Sequence, residues 1–206
     1  MQTTNLLRTI RLTAWIAVAV CLTGAGIYFI TARAPDIQRV IGGAAGIGGP
    51  FQLTAHTGQP VTERDLAGKP YAIFFGFTRC PDVCPTTLLD MTSRLEELQG
   101  DADKLRILFV SIDPERDSPE FLADYMKSFD KRITALTGTT AQVASIAKAY
   151  RVIYEKVPGG GRDYTMNHTA TVYLFDAKGG FVSTIAYQEN EKNQRAKLRR
   201  LIGLAG

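Results

Sequence analysis

The chain has 206 residues, which is enough for one membrane segment and one domain of ordinary size. Hydrophobic residues make up 45% of it and charged residues 21%, the composition of a globular protein. The net charge is a mild +4, and no basic stretch is interleaved with aromatic residues, so we expect no nucleic-acid partner.

Residues 12–32 form an uncharged stretch, LTAWIAVAVCLTGAGIYFITA, which predicts a transmembrane anchor. Its 21 residues suffice for a hydrocarbon core that needs about 20. Two arginines precede it, so the positive-inside rule predicts a cytoplasmic tail of residues 1–11 and a C-terminal domain outside. The alternative is a cleaved signal peptide, because residues 32–34 have the A-x-A form of a cleavage site. The length of the apolar run and Pro35 favour the uncleaved anchor.

Residues 33–50 are predicted to form a glycine-rich linker, because the five glycines from Gly42 to Gly49 oppose a stable helix. The remaining residues, 51–206, are predicted to form one domain. Its predicted strands are 51–56, 71–77, 105–112, 133–136, 152–157, 169–175 and 181–187. Its predicted helices begin near Thr86, Pro119 and Thr140, with a basic amphipathic helix at the C-terminus.

The two apolar runs at 71–77 and 105–112 are predicted to be central strands that are buried on both faces. Buried strands that alternate with helices, followed by a hairpin and a final helix, predict a mixed α/β sheet. The order is typical of a thioredoxin-like domain, here placed after a single N-terminal transmembrane helix. Right-handed crossovers put the carboxyl ends of both strands at one edge, where α/β sheets usually bind ligands.

Two of the three cysteines, Cys80 and Cys84, lie four residues apart just after the first central strand. On a helical turn such a pair shares one face, with roughly 5–6 Å between the Cβ atoms, which suits either chelation of one metal ion or closure of a disulfide. The start of a helix and the neighbouring Arg79 both favour a thiolate, while Asp82 opposes it. A structural disulfide, or two buried thiols, is the alternative interpretation.

Of the two histidines, His168 is the candidate ligand, and His56 is expected to be an exposed surface residue. A lone histidine is more often structural, but two thiolates and one imidazole together make a three-coordinate soft site suited to reduced copper. Structural zinc usually has four ligands, and Asp82 is the candidate for a fourth. We therefore predict one copper ion per domain ahead of zinc, and the lack of a CxxCH motif argues against haem.

Asp113 directly follows the second central strand, in the segment DPERDSPE (113–120). The topology predicts that it faces the cysteine loop, where a carboxylate can orient a ligand or a partner. The alternative is a plain loop and helix start, because aspartate and serine before proline are common caps. Asp113, Arg79 and Asp82 are thus the candidates for side chains that tune the site from beside the ligands.

Four segments of the chain together resemble the Sco/SenC family. They are GFTRCPDVCPTTL (76–88), VSIDPERDSPE (110–120), LTGTTAQVASIAKAYRV (136–152) and NHTATVYLFD (167–176). The resemblance runs from about residue 49 to the C-terminus, and four segments in this order are far more specific than a CxxxC motif alone. Two positions depart from the family pattern: Arg79 stands where the family often has histidine or tyrosine, and Asn167 where it often has aspartate. The first change makes the thiol pair more electropositive, and the second removes a carboxylate beside His168.

The resemblance implies a membrane-anchored copper chaperone that binds one copper ion through Cys80, Cys84 and His168. It implies a role in assembling the binuclear copper centre of cytochrome c oxidase subunit II, with other periplasmic copper chaperones or thiol reductants as further partners. The expected location is the bacterial inner membrane, single-pass, with the C-terminal domain in the periplasm, or the mitochondrial inner membrane in a eukaryote.

Two other functions use the same cysteines. One is a thiol–disulfide oxidoreductase that reduces the cysteines of the oxidase copper site, with Cys80 and Cys84 as a redox-active disulfide and His168 dispensable. The other is a peroxidase, since peroxiredoxins share the fold, but no residue singles it out and it ranks last.

Overall fold

The computed structural model describes residues 15, 18–24, 46–159 and 163–204. The chain divides into two compact units, residues 1–39 and 40–206. The described residues of the first unit are helical and exposed, and no described helix combines the length and the apolar character that crossing a membrane requires. The predicted cytoplasmic tail, residues 1–11, lies outside the described residues, as does most of the predicted anchor at 12–32, so both stay predictions.

The second unit alternates strands and helices. Its described strands are β1 (Gln52–Ala55), β2 (Pro60–Thr62), β3 (Tyr71–Gly76), β4 (Arg106–Ser111), β5 (Ile133–Thr137), β6 (Tyr154–Pro158), β7 (Tyr164–His168), β8 (Thr171–Phe175) and β9 (Phe181–Ala186). Its described helices are α1 (Val83–Leu98), α2 (Pro119–Met126), α3 (Thr140–Ala149) and α4 (Glu191–Leu201), with short 3₁₀ helices at Glu63–Leu66 and Gln99–Lys104. The α/β class predicted from the sequence is confirmed.

Seven of the strands form one mixed sheet in the order β2-β1-β5-β4-β3-β8-β9. β3 lies parallel to β4, and β4 to β5, whereas β8 lies antiparallel to β3. All six residues of β3 and five of the six in β4 are buried, so the two apolar runs are central strands, as predicted. The register sets Gly76 beside Ser111, so both strands end at one edge of the sheet.

The helices begin where the sequence supplies caps. The hydroxyl of Ser118 accepts from the backbone N–H of Phe121 at the start of α2. Thr139 and Gln142 form a capping box at the start of α3. α1 begins three residues before the predicted start, which places Cys84 in its first turn.

The segment around His168 differs from the prediction. β6 agrees broadly with the predicted strand at 152–157, but the next strand is β7, which ends at His168 and pairs with β6 in a separate two-stranded sheet. β8 begins two residues later than predicted. In β7 the central Met166 is buried and its two neighbours are exposed, the alternation of a half-buried strand that is too short and polar to stand out in the sequence.

The end of the predicted linker lies against the domain. The backbone N–H of Gly48 donates to the carbonyl of Ala149 at 2.9 Å. Gly48 has a φ of +101°, and a Cβ there would lie 3.0 Å from the ring of Phe175, so both the backbone and the contact require glycine. The rest of the predicted linker, residues 33–45, lies outside the described residues and stays a prediction.

Candidate metal centre

The cysteine loop leaves the sheet at the carboxyl end of β3, the edge that the topology predicts. Phe77 is buried directly after the strand, and its carbonyl accepts from the N–H of Cys80 at 3.3 Å, which turns the chain toward α1. Cys84 is fully buried and Cys80 is partly buried. Both cysteines are free thiols in this structure.

Three candidate ligand atoms converge at this edge. One ligand atom each from Cys80, Cys84 and His168 lies within 4.8 Å of the other two. The Sγ of Cys84 is 3.5 Å from Nε2 of His168, and the N–H of Cys84 donates to the Sγ of Cys80 at 3.4 Å. In the described part of the chain no other group of His, Cys, Asp and Glu side chains is arranged to hold a metal ion, and no carboxylate belongs to this one. The structure thus brings together the three residues that the sequence singles out.

His168 is held so that Nε2 faces the thiols. Its Nδ1 lies 3.1 Å from the carbonyl oxygen of Thr169, which can only accept, so Nδ1 carries the proton. Nε2 is left with a lone pair toward Cys84, the arrangement that a metal-binding histidine needs. The rings of Phe74 and Phe77 meet the imidazole edge to face, with centroids 6.1 and 5.9 Å away, and restrict its plane.

The two thiols are electrostatically unequal. A hydrogen bond from the Cys84 thiol is the main cause that lowers the pKa of Cys80 to about 4, and backbone N–H groups at the helix start add to the effect. The same hydrogen bond, together with burial, raises the pKa of Cys84. Arg79, which was expected to favour the thiolate, is exposed and makes no hydrogen bond or ion pair with the described residues. The lowered pKa favours a thiolate at Cys80 beside a thiol at Cys84, and the Cys84 thiol and the N–H groups at the start of α1 stabilise that charge.

Gly76, the last residue of β3, leaves room for the buried thiol. A Cβ at this position would lie 2.7 Å from the Sγ of Cys84 and 2.9 Å from a ring carbon of Phe109. Real Cβ atoms essentially never make contacts under 3.0 Å, so any side chain here forces the sulfur or the ring to move. Sequence reasoning did not single out this glycine.

Asp117, which sequence reasoning also missed, anchors the cysteine loop. Its fully buried carboxylate accepts from the N–H and the hydroxyl of Thr78, at 3.1 and 2.5 Å, and from the hydroxyl of Ser111 at 2.6 Å. Burial raises the pKa of Asp117, while these three hydrogen bonds oppose the rise. The sequence offered one signal that Asp117 lies near the site, which is its position four residues after Asp113 and close to the carboxyl end of β4.

Asp113 was predicted to face the cysteine loop, but its carboxylate bonds instead to the hairpin that carries His168. The chain turns after it, with the N–H of Asp117 donating to the Asp113 carbonyl at 3.0 Å, and Asp117 is the one that reaches the loop. The buried carboxylate of Asp113 accepts from Nε of Arg116 and, at 2.6 Å, from the hydroxyl of Tyr164.

Two further polar residues considered in the sequence lie outside the cluster. Asp82, the candidate fourth ligand, accepts instead from the hydroxyls of Thr86 and Tyr187 at 3.2 and 3.3 Å. His56 was expected to be exposed, but it is partly buried, and its Nδ1 accepts from the N–H of Ala135 at 3.1 Å. It therefore links the residue after β1 to β5 and lies outside the candidate metal centre.

The fold and the site define a class of protein: a mixed α/β domain in which two cysteines and one histidine meet at the carboxyl edge of parallel strands. The sequence model of the SCO1/SenC family matches residues 40–203. The chain belongs to the SCO1/SenC family.

Solved structures agree with this membership. The chain is similar to Bradyrhizobium japonicum ScoI with copper bound, at 46% identity and a TM-score of 0.71, over 75% of this chain and 99% of that one. It is similar to yeast Sco1 with copper bound, at 38% identity and a TM-score of 0.69, over 75% of this chain and 87% of that one. These likenesses confirm the thioredoxin-like fold predicted from the sequence.

Curated relatives are longer than the matched region. The Saccharomyces cerevisiae protein SCO2, mitochondrial, is 39% identical over 176 residues, covering 84% of this chain and 58% of that protein. The human SCO1 homolog, mitochondrial, is 44% identical over 139 residues, covering 66% of this chain and 46% of that protein. The chain thus spans about half the length of the curated relatives that it matches.

Proposed function

We propose that this protein is a copper chaperone that takes one copper ion as cargo on the Sγ atoms of Cys80 and Cys84 and on Nε2 of His168. The observation that carries the proposal is the convergence of these three ligand atoms within 4.8 Å, with the Nδ1 proton of His168 already committed to a backbone carbonyl. A site of two sulfurs and one imidazole suits reduced copper, because soft ligands and low coordination number both favour it. The copper-bound relatives support the same metal.

The arrangement also suits transfer. Cys80 is only partly buried, so an incoming ligand can reach one side of the site, whereas Cys84 lies in the core. No carboxylate completes a fourth position within the described residues, which leaves room for a ligand of the recipient. The proposed recipient is the binuclear copper centre of cytochrome c oxidase subunit II, and copper chaperones or thiol reductants of the same compartment are the further partners proposed.

The metal is tested on the full-length chain, purified under reducing conditions after copper-replete growth. We expect one copper ion per chain, with two sulfur ligands and one nitrogen ligand in X-ray absorption spectra. Stoichiometric zinc without copper would contradict the proposal. The matched pair of variants is His168→Ala, which should lose the nitrogen ligand, and His56→Ala, which should keep it because His56 lies outside the cluster.

A second function, thiol–disulfide exchange, is favoured by the lowered pKa of Cys80. The Cys80 thiolate would attack a disulfide of the target and release one target thiolate. Cys84, after losing its proton, would then attack the sulfur of Cys80, forming the Cys80–Cys84 disulfide and releasing the second target thiol. Two electrons pass from this chain to the target, and His168 takes no part.

His168→Ala separates the two functions. If the protein is a copper chaperone, this variant should abolish tight copper binding and oxidase assembly at limiting copper while disulfide exchange continues. Assembly that survives the substitution at limiting copper would favour the reductant instead.

The proposed location follows from the uncharged run at residues 12–32. We propose that it anchors the chain in the bacterial inner membrane, or in the mitochondrial inner membrane of a eukaryote, with residues 1–11 in the cytoplasm or matrix. Reporter fusions placed after Gly49 should be active only outside the cytoplasm. Activity of the same fusions inside the cytoplasm would reverse the orientation.

A further inference from the structure

The hairpin that carries His168 forms a two-stranded sheet of its own. Within the described residues, β6 and β7 pair only with each other. The place of the imidazole relative to the two cysteines therefore depends on the connections at the two ends of the hairpin, on the rings of Phe74 and Phe77, and on the side chains that hold the hairpin down.

Three side chains share the face of β7 that carries the ligand. Tyr164, Met166 and His168 alternate along the strand and so project to one side. Met166 is 5% exposed and belongs to the core, which fixes the middle of the strand. Tyr164 is at the opposite end of the strand from the ligand, and its contacts decide how that end is held.

Tyr164 is held more firmly than a surface tyrosine. Its hydroxyl donates to the buried carboxylate of Asp113 at 2.6 Å, and its backbone carbonyl accepts from Arg116 at 2.8 Å. The guanidinium of Arg116 lies 3.6 Å from the centre of its ring, and the Nζ of Lys156 lies 4.7 Å from it. Lys156 also pairs with Glu115 at 2.6 Å. Apart from the Lys156 ammonium, these groups in contact with Tyr164 belong to residues 113–117, the segment after β4.

The same segment holds the cysteine half of the site. Asp117, four residues after Asp113, accepts from the N–H and the hydroxyl of Thr78, two residues before Cys80. Both carboxylates are fully buried, so neither can exchange its partners for water without moving the chain. Residues 113–117 therefore touch both elements that supply ligands.

We propose that Tyr164 is a positioning residue for His168, acting through its hydrogen bond to Asp113 and its stack on Arg116. This inference rests on the proposed copper function. Loss of the hydroxyl removes one of the two side-chain donors to the Asp113 carboxylate, and a buried acceptor without its donor loosens the segment on which the hairpin rests. The imidazole then samples positions away from the thiols, while the thiols themselves stay in place.

The test compares Tyr164→Phe with Tyr154→Phe in the full-length chain. Tyr154 lies on the same hairpin, but its hydroxyl makes no hydrogen bond with the described residues. We expect Tyr164→Phe to bind Cu(I) about tenfold more weakly, as is usual when a group that supports a metal ligand is removed. X-ray absorption should show the nitrogen ligand weakened and both sulfurs retained, and the reduction potential of the Cys80–Cys84 pair should not change. Tyr154→Phe should match the unmodified protein in Cu(I) affinity, in X-ray absorption and in the reduction potential of the cysteine pair.

A double-mutant cycle distinguishes positioning from a general loss of stability. If Tyr164 acts through His168, then Tyr164→Phe should weaken Cu(I) binding no further in a chain that already carries His168→Ala. Arg116→Lys, which keeps the charge beside Asp113 but loses the planar stack, should give the same spectroscopic signature as Tyr164→Phe.

The outcomes separate this inference from the copper function. Unchanged affinity and an unchanged nitrogen ligand in Tyr164→Phe would overturn the role of Tyr164, as would a full tenfold loss in the His168→Ala background. A parent protein that binds no copper, or binds it without a nitrogen ligand, would instead overturn the proposed function.

Discussion

Gly76→Ala adds one methyl group at the point where β3 meets the buried thiol of Cys84. The new Cβ would lie 2.7 Å from the Sγ of Cys84, 2.9 Å from a ring carbon of Phe109 and 3.1 Å from one of Phe74. Both rings are buried in the core, so they have little room to retreat. Cys84 is equally buried, but its sulfur ends a short side chain in the first turn of α1, so we expect it to move most.

The size of the effect follows from these separations. Ordinary contact begins at 3.4 Å, so the sulfur has to withdraw by about 0.7 Å, which exceeds the roughly 0.2 Å that metal–ligand distances tolerate. Overpacking a core by a methyl group costs about 1–3 kcal/mol. For a domain of this size that lowers the melting temperature by about 2–4 °C per kcal/mol. Displacement of one ligand should weaken Cu(I) binding about tenfold or more.

Two measurements on the same preparation check this reasoning. Thermal unfolding of the reduced apo-protein reports the overpacking, and competition with a chromophoric Cu(I) chelator reports the affinity. Gly100→Ala is the matched control, because a Cβ at Gly100 meets nothing within 4 Å. This variant should lower neither the melting temperature nor the Cu(I) affinity. A Gly76→Ala protein with the parent's melting temperature and Cu(I) affinity would refute the argument.

Three further predictions concern the same edge of the sheet. Thr78→Val removes the 2.5 Å hydrogen bond to Asp117 and should lower the free energy of unfolding by about 1.5–3 kcal/mol in urea titrations, whereas Thr78→Ser should lose much less. Because the pKa of Cys80 is lowered to about 4, its alkylation by iodoacetamide in the apo-protein should be independent of pH between about 6 and 9. An alkylation rate that rises with pH around the ordinary pKa of a thiol would contradict the lowered pKa of Cys80. Asp82→Asn should leave copper stoichiometry unchanged, since Asp82 lies outside the ligand cluster, and loss of copper would restore it as a fourth ligand.

The parts of the fold that depend on strong local patterns could be predicted from the sequence. The apolar runs that became β3 and β4 have the short length and the aromatic and β-branched composition of buried strands, and their order fixes a common carboxyl edge. The helix starts at Ser118 and Thr139 follow from side chains that bond the nearest free N–H groups. β7 was missed because its pairing partner, β6, decides its structure more than its own composition does.

The convergence of the three candidate ligands was predictable from the sequence, but the residues that support them were not. Cysteine and histidine are residue types suited to metal or redox chemistry, so residue type and topology sufficed to predict that Cys80, Cys84 and His168 lie together. The supports depend on geometry of a few tenths of an ångström. Whether Asp113 or Asp117 reaches the cysteine loop depends on one turn of the backbone between them, which no spacing rule specifies. The need for glycine at position 76 depends on where a sulfur eight residues later comes to rest.

The segment from Ser111 to Asp117 has a consequence for anyone who wants to transplant this centre into another scaffold. Copying Cys80, Cys84 and His168 alone would move three side chains without the piece of chain that sets the spacing between the loop and the hairpin. A minimal graft has three parts: the loop from Gly76 to Cys84, this bridging segment, and the β6–β7 hairpin with Tyr164. The bridging segment supplies none of the three candidate ligands. A graft designed from the ligands alone would therefore leave it out.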